Sequence, residues 1–226
     1  MERVYDLPGQ FLLLCLDPLS GKIKPGWYHF SYGLAGAILL ELGIRDNITL
    51  RHSRIWPKDQ RQSGDAILDD AFMAVQNSPK KKRPGQWLIR LSYRSRRYRR
   101  LIIADWEKRG LVRLSSRKYF GFWPAEEVGL RDPGVQTRLL EHVVHKVETA
   151  ETLEERDVAL LMLIDAGKLH AILGPEGKIK EAVKNRLDEH FARNQCASKH
   201  LGLFREIRNA IRSSLTSAMG IQPANA

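Results

Sequence analysis

The chain contains 226 residues, 43% of them hydrophobic, which is enough to form one large domain or two small ones around a buried core. The two cysteines, Cys15 and Cys196, are too few and too far apart for a disulfide framework or a metal pattern. No apolar run reaches the length of a membrane span. These features favour a cytoplasmic protein. The net charge of +11 predicts a polyanionic partner, either a nucleic acid or an acidic membrane surface.

The N-terminal part of the chain predicts two buried elements separated by a loop. Residues 11–16 form a short apolar segment after Leu7-Pro8, where the proline suits the first turn of a helix. Residues 33–42 (GLAGAILLEL) are apolar nearly all round, which is typical of a buried helix. Between them, residues 25–30 carry aromatic side chains after a Pro-Gly pair. We interpret these residues as a loop that either covers the core or forms the lip of a binding site.

The next elements are shorter. Residues 47–51 predict a strand, and residues 54–62 a polar loop. Ser63 is the expected cap of a helix that begins with acidic residues and runs to about residue 72. Residues 77–85 (NSPKKKRPG) predict an exposed linker, followed by an amphipathic piece over residues 87–91.

A basic helix is predicted from residue 94 to residue 108, because cations in its last turn precede Gly110, a residue suited to a left-handed cap. Helical periodicity places Arg96 and Arg99 on the stripe that continues through Ile103 and Trp106. A charged group on a core-facing stripe needs a counter-charge. These two arginines therefore either pair with acidic residues of the fold or clamp an external anion, and the planar fork of arginine suits a phosphate.

Much of the positive charge is concentrated around this helix. No acidic residue occurs between Ala71 and Ala104, while ten basic residues do. Such a stretch predicts either a solvated basic face or a surface for a polyanion. The ten residues are Lys80, Lys81, Lys82, Arg83, Arg90, Arg94, Arg96, Arg97, Arg99 and Arg100.

A β-hairpin is predicted directly after the basic helix. Residues 111–114 and 119–123 are rich in β-forming residues, and the polar residues 115–118 separate them as a turn. Pro124 is expected to end the second strand. Charged and aromatic residues gather near the tip of the hairpin: Arg117, Lys118, Tyr119, Phe120 and Phe122.

The remainder of the chain predicts helices over residues 135–149, 154–166, 179–192 and 201–217, with residues 218–226 as a flexible tail. The fold class is therefore mainly α: one helical domain, residues 1–217, around a buried central helix, with a projecting β-hairpin. His142 and His145 share a helix face with nearby glutamates, but no matching ligand set occurs elsewhere. The sequence contains no recognisable catalytic motif. We therefore expect neither a bound metal, nor a cofactor, nor an enzymatic activity.

Several of these segments, in this order and spacing, resemble one protein family. They are residues 11–16, the helix that starts Gly33-Leu-Ala-Gly, residues 63–72, residues 87–92, and Trp106-Glu-Lys-Arg-Gly-Leu-Val112 before its hairpin. Together they are similar to the Golgi phosphoprotein 3 family, whose members bind phosphatidylinositol 4-phosphate on membranes. The resemblance runs from about residue 7 to residue 217. It implies a peripheral membrane protein, located at the Golgi if eukaryotic, with a hairpin used in membrane contact and self-association and with membrane-protein cargo as a further partner.

The resemblance also implies a headgroup site of one tryptophan and three arginines. Two of the arginines fall on Arg96 and Arg99, whereas Ala35 occupies the position of the third. The tryptophan position falls on Gly26, with Trp27 one residue along. The long basic leader of eukaryotic members is absent from this sequence, so we expect a bacterial member and an acidic lipid similar to phosphatidylinositol 4-phosphate as the ligand. A basic surface of Arg97, Arg100, Lys81, Lys82 and Arg83 is expected to support the site.

One alternative class stays open on the sequence alone. A helix ending Glu107-Lys-Arg-Gly-Leu-Val112 before a hairpin also resembles a winged-helix DNA-binding protein, in which Arg117 and Lys118 would touch phosphate. The position of Arg96 and Arg99 on one stripe, and the aromatic character of the hairpin, favour the lipid-binding interpretation.

Overall fold

In a computed structural model of the chain, the fold is built around one long buried helix, α2 (Trp27–Ile44). The helices α1 (Leu7–Cys15), α4 (Pro84–Ser92), α7 (Glu155–Ala166) and α9 (Leu201–Ala218) all pack against it. The structure describes residues 5–18, 20–58, 63–119, 123–149, 151–174, 176–193 and 200–220, with side chains except at 115–119, 123–127 and 176. The mainly α, single-domain fold class with a buried central helix and a β-hairpin is thereby confirmed.

The remaining elements surround this centre. Two antiparallel hairpins accompany the helices in the described part of the chain. Among the described residues no helix is both long and apolar enough to cross a bilayer. The bounds of the elements not yet given are β1 (Ile48–Arg51), β2 (Arg54–Pro57), α3 (Ala66–Gln76), α5 (Ser95–Lys108), β3 (Val112–Tyr119), β4 (Trp123–Leu130), α6 (Gly134–Glu148), α8 (Glu176–Arg193) and a short 3₁₀ turn over His170–Ile172.

Small residues allow α2 to lie close to its neighbours. A Cβ added to Gly33 would lie 2.2 Å from the ring of Phe11, so only glycine allows α1 to cross α2 at this distance. The apolar character of residues 33–42 was therefore interpreted correctly, and the C-terminal helices also occur where they were predicted.

Buried ion pairs join α2 and α9 to the rest of the core. The carboxylate of Glu41 is fully buried and accepts hydrogen bonds from Arg45, from both terminal nitrogens of Arg156 and from the backbone N–H of Leu7. Asp165 of α7 forms a second such centre, where it meets arginines of α9. Each charge therefore has the close partner that burial requires.

Several boundaries predicted from the sequence are wrong. Trp27 begins α2 instead of lying in a loop, and Asp65, not Ser63, caps α3 through hydrogen bonds to two backbone N–H groups. Residues 54–57 are strand rather than loop, because they pair with β1 and because the Ile55 N–H donates to the Lys82 carbonyl. The basic linker therefore pairs with the fold along part of its length.

The second hairpin is also longer than predicted. Residues 115–118 continue β3, and Pro124 lies inside β4 opposite Lys118. A proline is tolerated there because each strand of a two-stranded ribbon has one edge without a partner strand. Of the expected tail, residues 221–226 lie outside the described part of the chain.

The Asp6 carboxyl provides a pH prediction. Asp6 caps α1 by accepting from the Gly9 N–H, and burial, with repulsion from Asp65 and Glu41, raises its pKa to about 7. The folded protein therefore keeps a proton that the unfolded chain releases near its ordinary pKa of 3.8. Between these two pKa values the folded state binds more protons, so the stability that depends on Asp6 falls as pH rises.

Asp6→Asn should therefore gain stability relative to the wild type as pH rises from about 4 to about 7, since asparagine caps a helix equally well. Urea unfolding at a series of pH values measures this difference. An exposed Asp105→Asn variant controls for the loss of one negative charge. Parallel pH profiles of Asp6→Asn and the wild type would contradict the raised pKa.

Candidate anion-binding site

An open groove of about 410 Å³ lies between α5 and the chain segment that leads into α2. Three of its lining side chains are arginines from successive turns of α5, and the others are apolar or aromatic. We call it the arginine groove. It is lined by Ile23, Pro25, Trp27, Phe30, Arg96, Arg99 and Arg100.

Arg96 and Trp27 form one wall of the arginine groove. The guanidinium carbon of Arg96 lies 5.0 Å from the centre of the Trp27 ring, which is the geometry of a cation–π contact. Trp27 is 46% exposed, so the stacked pair faces solvent. The contact holds a long, mobile side chain in place without neutralising its charge.

Arg99 contacts the loop that precedes Ile23 and Pro25 of the groove lining. Its terminal nitrogen donates to the Gly21 carbonyl at 3.2 Å. Gly21 has a φ of +63°, and a Cβ there would lie 2.4 Å from the Val128 carbonyl oxygen of β4. Only glycine fits between the loop and the hairpin. The Gly21 N–H also donates to the Asp17 carbonyl, so Arg99 reaches a braced loop.

The arginines on the other side of α5 have a different role. Arg94 and Arg97 both form ion pairs with Asp70 of α3, at 2.9 and 3.1 Å. The Tyr98 hydroxyl donates to the same carboxylate, and burial together with this bond raises the pKa of Tyr98. Internal ion pairing, the alternative considered for Arg96 and Arg99, is thus observed at Arg94 and Arg97.

The predicted core-facing stripe of α5 is displaced by one residue in its first turns. Ser95 and Tyr98 are buried there, whereas Arg96 is exposed and Arg99 is half-buried. The Ser95 hydroxyl donates to Ser31 of α2, which fixes the rotation of the helix. Arg96 and Arg99 consequently lie at the edge of the packed face, where they reach both solvent and the loop.

The residues of the predicted basic surface have different contacts in the structure. Lys81 lies over the ring of Trp56, and Lys82 lies over the ring of Trp87 and donates to a serine hydroxyl. Arg83, by contrast, is exposed at the start of α4. Since Arg97 pairs with Asp70, Arg100 is the member of the predicted surface that joins the arginine groove.

The hairpin residues are only partly within the described structure. Arg117, Lys118 and Tyr119 belong to β3, of which the backbone alone is described at these positions. Phe120 and Phe122 lie outside the described residues. Their role in membrane contact or self-association stays a prediction.

Two features of the groove were missed in the sequence. The first is the start of α2 at Trp27, which places the N-terminus of an 18-residue helix at the groove with no side-chain cap at Gly26. The second is Arg100, which had been assigned to the general basic surface. Its four-residue spacing from Arg96 was the available signal, since residues i and i+4 share a helix face.

The fold and the groove define a mainly α domain with a basic, aromatic-walled cleft at its surface. The Golgi phosphoprotein 3 (GPP34) family model matches residues 7–213, and the chain belongs to this family. No curated protein sequence matches the chain. The family assignment confirms the resemblance on which the headgroup site was predicted, and it does not favour the winged-helix alternative.

Proposed function

We propose that the protein binds the phosphorylated headgroup of an acidic lipid, phosphatidylinositol 4-phosphate or a chemically similar one, in the arginine groove. The observation that carries this proposal is the convergence of Arg96, Arg99 and Arg100 on one cleft beside Trp27. Neither Arg96 nor Arg100 has a carboxylate partner within the described part of the chain. Arg94 and Arg97 of the same helix, by contrast, pair with Asp70. This difference supports a role for Arg96 and Arg100 in binding an external anion.

The chemistry of the groove suits a phosphate monoester. Guanidinium groups donate paired hydrogen bonds that match phosphate oxygens, and charge-assisted bonds of this kind are about twice as strong as neutral ones. The N-terminus of α2 adds backbone N–H groups and the positive end of its dipole. Trp27 provides an apolar wall for the face of an inositol ring.

Arg100 is proposed to take the part of the third family arginine. Ala35 stands at that arginine's position, and it is buried inside α2 with 1% of its surface exposed. A cation of α5, Arg100, lines the groove together with Arg96 and Arg99. The ligand is therefore held mainly by one helix, with Arg96, Arg99 and Arg100 contributing three of its contacts.

The bound protein is proposed to act as a peripheral membrane protein. The net charge of +11 attracts it to an acidic bilayer, where each basic residue near the surface contributes about 1 kcal/mol. This attraction is screened over a Debye length of about 10 Å at 0.1 M salt. Self-association and binding of membrane-protein cargo are further proposals that follow from the family.

Sedimentation of the full chain with vesicles tests the proposed function. We expect binding to vesicles that contain phosphatidylinositol 4-phosphate to exceed binding to phosphatidylserine vesicles of equal surface charge, and added salt to reduce both. Equal binding to the two vesicle types would contradict specific recognition of the headgroup by the arginine groove. Stronger binding to duplex DNA than to either vesicle at matched salt would support the DNA-binding alternative instead.

A further inference from the structure

Exposed aromatic and aliphatic side chains gather beside the arginine groove. Tyr93 is 83% exposed, Tyr28 51% and Ile89 41%, which is unusual for large apolar side chains. They come from the start of α2 and the end of α4, two helices that pack against each other. With the half-buried Tyr32, they form a surface that we call the aromatic ledge.

Contacts within the aromatic ledge show that its members are neighbours. The rings of Tyr28 and Tyr32 stack with their centres 6.3 Å apart and their planes 21° from parallel. Burial, and then the nearby phenols of Tyr93 and Tyr28, raise the pKa of Tyr32. Tyr32 and Ile89 also border the same depression between α4 and α9.

The ledge adjoins the arginine groove along the chain. Tyr28 follows Trp27, the aromatic wall of the groove, and Tyr93 precedes Arg94, the N-cap residue of the arginine-rich α5. Arg90, exposed and stacked on Trp87, lies next to Ile89 in the sequence. The stretch between residues 71 and 104, which contains Ile89 and Tyr93, has no acidic residue, while Arg83 and Glu206 both line the depression that Tyr32 and Ile89 border.

We propose that the aromatic ledge is the surface on which the protein rests in the headgroup region of an acidic bilayer. This inference rests on the proposed function, since a lipid headgroup held in the groove brings the adjacent ledge to the membrane. Tyrosine and tryptophan favour this region because their rings are apolar and their tips are polar. Positive charge beside them complements the acidic lipid surface.

The ledge and the groove contribute to binding in different ways. The arginine groove recognises the phosphate and loses affinity in salt, whereas burial of the tyrosine rings depends little on salt. A soluble inositol phosphate reaches only the groove. The two surfaces can therefore be separated by comparing a soluble headgroup with the same headgroup in a vesicle.

The variant Tyr28→Ser/Tyr93→Ser tests the ledge. If the two rings together bury about 60 Å² of apolar surface in lipid, their loss weakens binding to vesicles about tenfold. The loss should persist at high salt, while affinity for soluble inositol phosphate stays at the wild-type value. Because both side chains are exposed, thermal unfolding should be unchanged. Trp56→Ser provides the matched control, since Trp56 is a 36% exposed aromatic residue on β2, outside the ledge.

The outcomes distinguish the ledge from the groove. The proposal that the ledge contacts the bilayer would be overturned if the tyrosine variant bound vesicles with an affinity within twofold of the wild type. This holds whatever its affinity for soluble inositol phosphate. A change in sedimentation mass with unchanged vesicle affinity would also overturn it and assign the surface to contact between copies of the chain. Failure of the wild type to bind soluble inositol phosphate would count against the proposed function alone, because tyrosine-dependent binding to phosphatidylserine vesicles would still support the ledge.

Discussion

Replacing Arg96 and Arg99 together with alanine is expected to weaken binding to vesicles containing phosphatidylinositol 4-phosphate about 100-fold, because each removed charge-assisted hydrogen bond contributes roughly 1.5 kcal/mol or more. Loss of Arg96 would also remove the cation–π contact with Trp27, and loss of Arg99 would remove the hydrogen bond to the Gly21 carbonyl. Isothermal titration with the vesicles measures the affinity, and thermal unfolding checks that the fold is retained.

Two further variants separate a shaped site from general positive charge. Arg96→Lys/Arg99→Lys keeps both charges but removes the planar forks, so it should lose most of the preference for the phosphoinositide over phosphatidylserine. Lys80→Ala/Arg97→Ala removes two charges outside the groove and should reduce binding only slightly. Arg100 is unsuitable as a control because it lines the groove.

Equal affinities for the groove variant Arg96→Ala/Arg99→Ala and the control Lys80→Ala/Arg97→Ala would mean that a diffuse basic field, rather than the groove, attracts the vesicles. Full preference for the phosphoinositide in the lysine variant would lead to the same conclusion. Either result would be compatible with membrane binding but would contradict the proposal that the arginine groove is the headgroup site.

Glu41→Gln should produce the largest loss of stability, about 3 kcal/mol or more, because it leaves Arg45 and Arg156 beside a fully buried site without a counter-charge. The carboxylate has no exposed surface, and Arg156 approaches both of its oxygens at 2.7 and 2.8 Å. Urea unfolding followed by circular dichroism gives the change in the free energy of unfolding.

The matched comparison is Asp105→Asn, which removes one acidic partner from an exposed pair with Arg109 one helical turn away. Such surface pairs contribute about 0–1 kcal/mol, so this variant should unfold almost as the wild type does. A loss of stability in Glu41→Gln no larger than that in Asp105→Asn would show that the buried cluster is not needed to join α2 to α1 and α7.

Local patterns predicted much of the helical framework. The uninterrupted apolar run of residues 33–42 required burial on all sides, and the structure surrounds α2 with four helices. Gly110, predicted as a left-handed cap, has a φ of +70°. These features depend on residues close together in the chain, so hydrophobic periodicity and backbone preference are sufficient to identify them.

The bounds of the strands could not be predicted from local sequence, because they depend on tertiary contacts. Residues 54–57 pair with β1 and with the basic segment before α4, so their conformation depends on partners up to about 27 residues away in the chain. Residues 115–118 are polar and lack turn-forming glycine, and their pairing with β4 is what makes them strand.

The candidate site shows most clearly what the sequence alone determined and what it did not. The sequence placed the arginines on one helix after Tyr93 and before Gly110, and periodicity placed Arg96 and Arg99 on its core-facing stripe. In the tertiary structure that stripe begins one residue earlier, at Ser95 and Tyr98. Ser95 meets Ser31 and Tyr98 meets Asp70, which turns Arg97 toward the same carboxylate and directs Arg96, Arg99 and Arg100 to the groove. Asp70, a counter-charge on another helix that local periodicity cannot reveal, decided which arginines form ion pairs with α3, while Arg96, Arg99 and Arg100 line the groove.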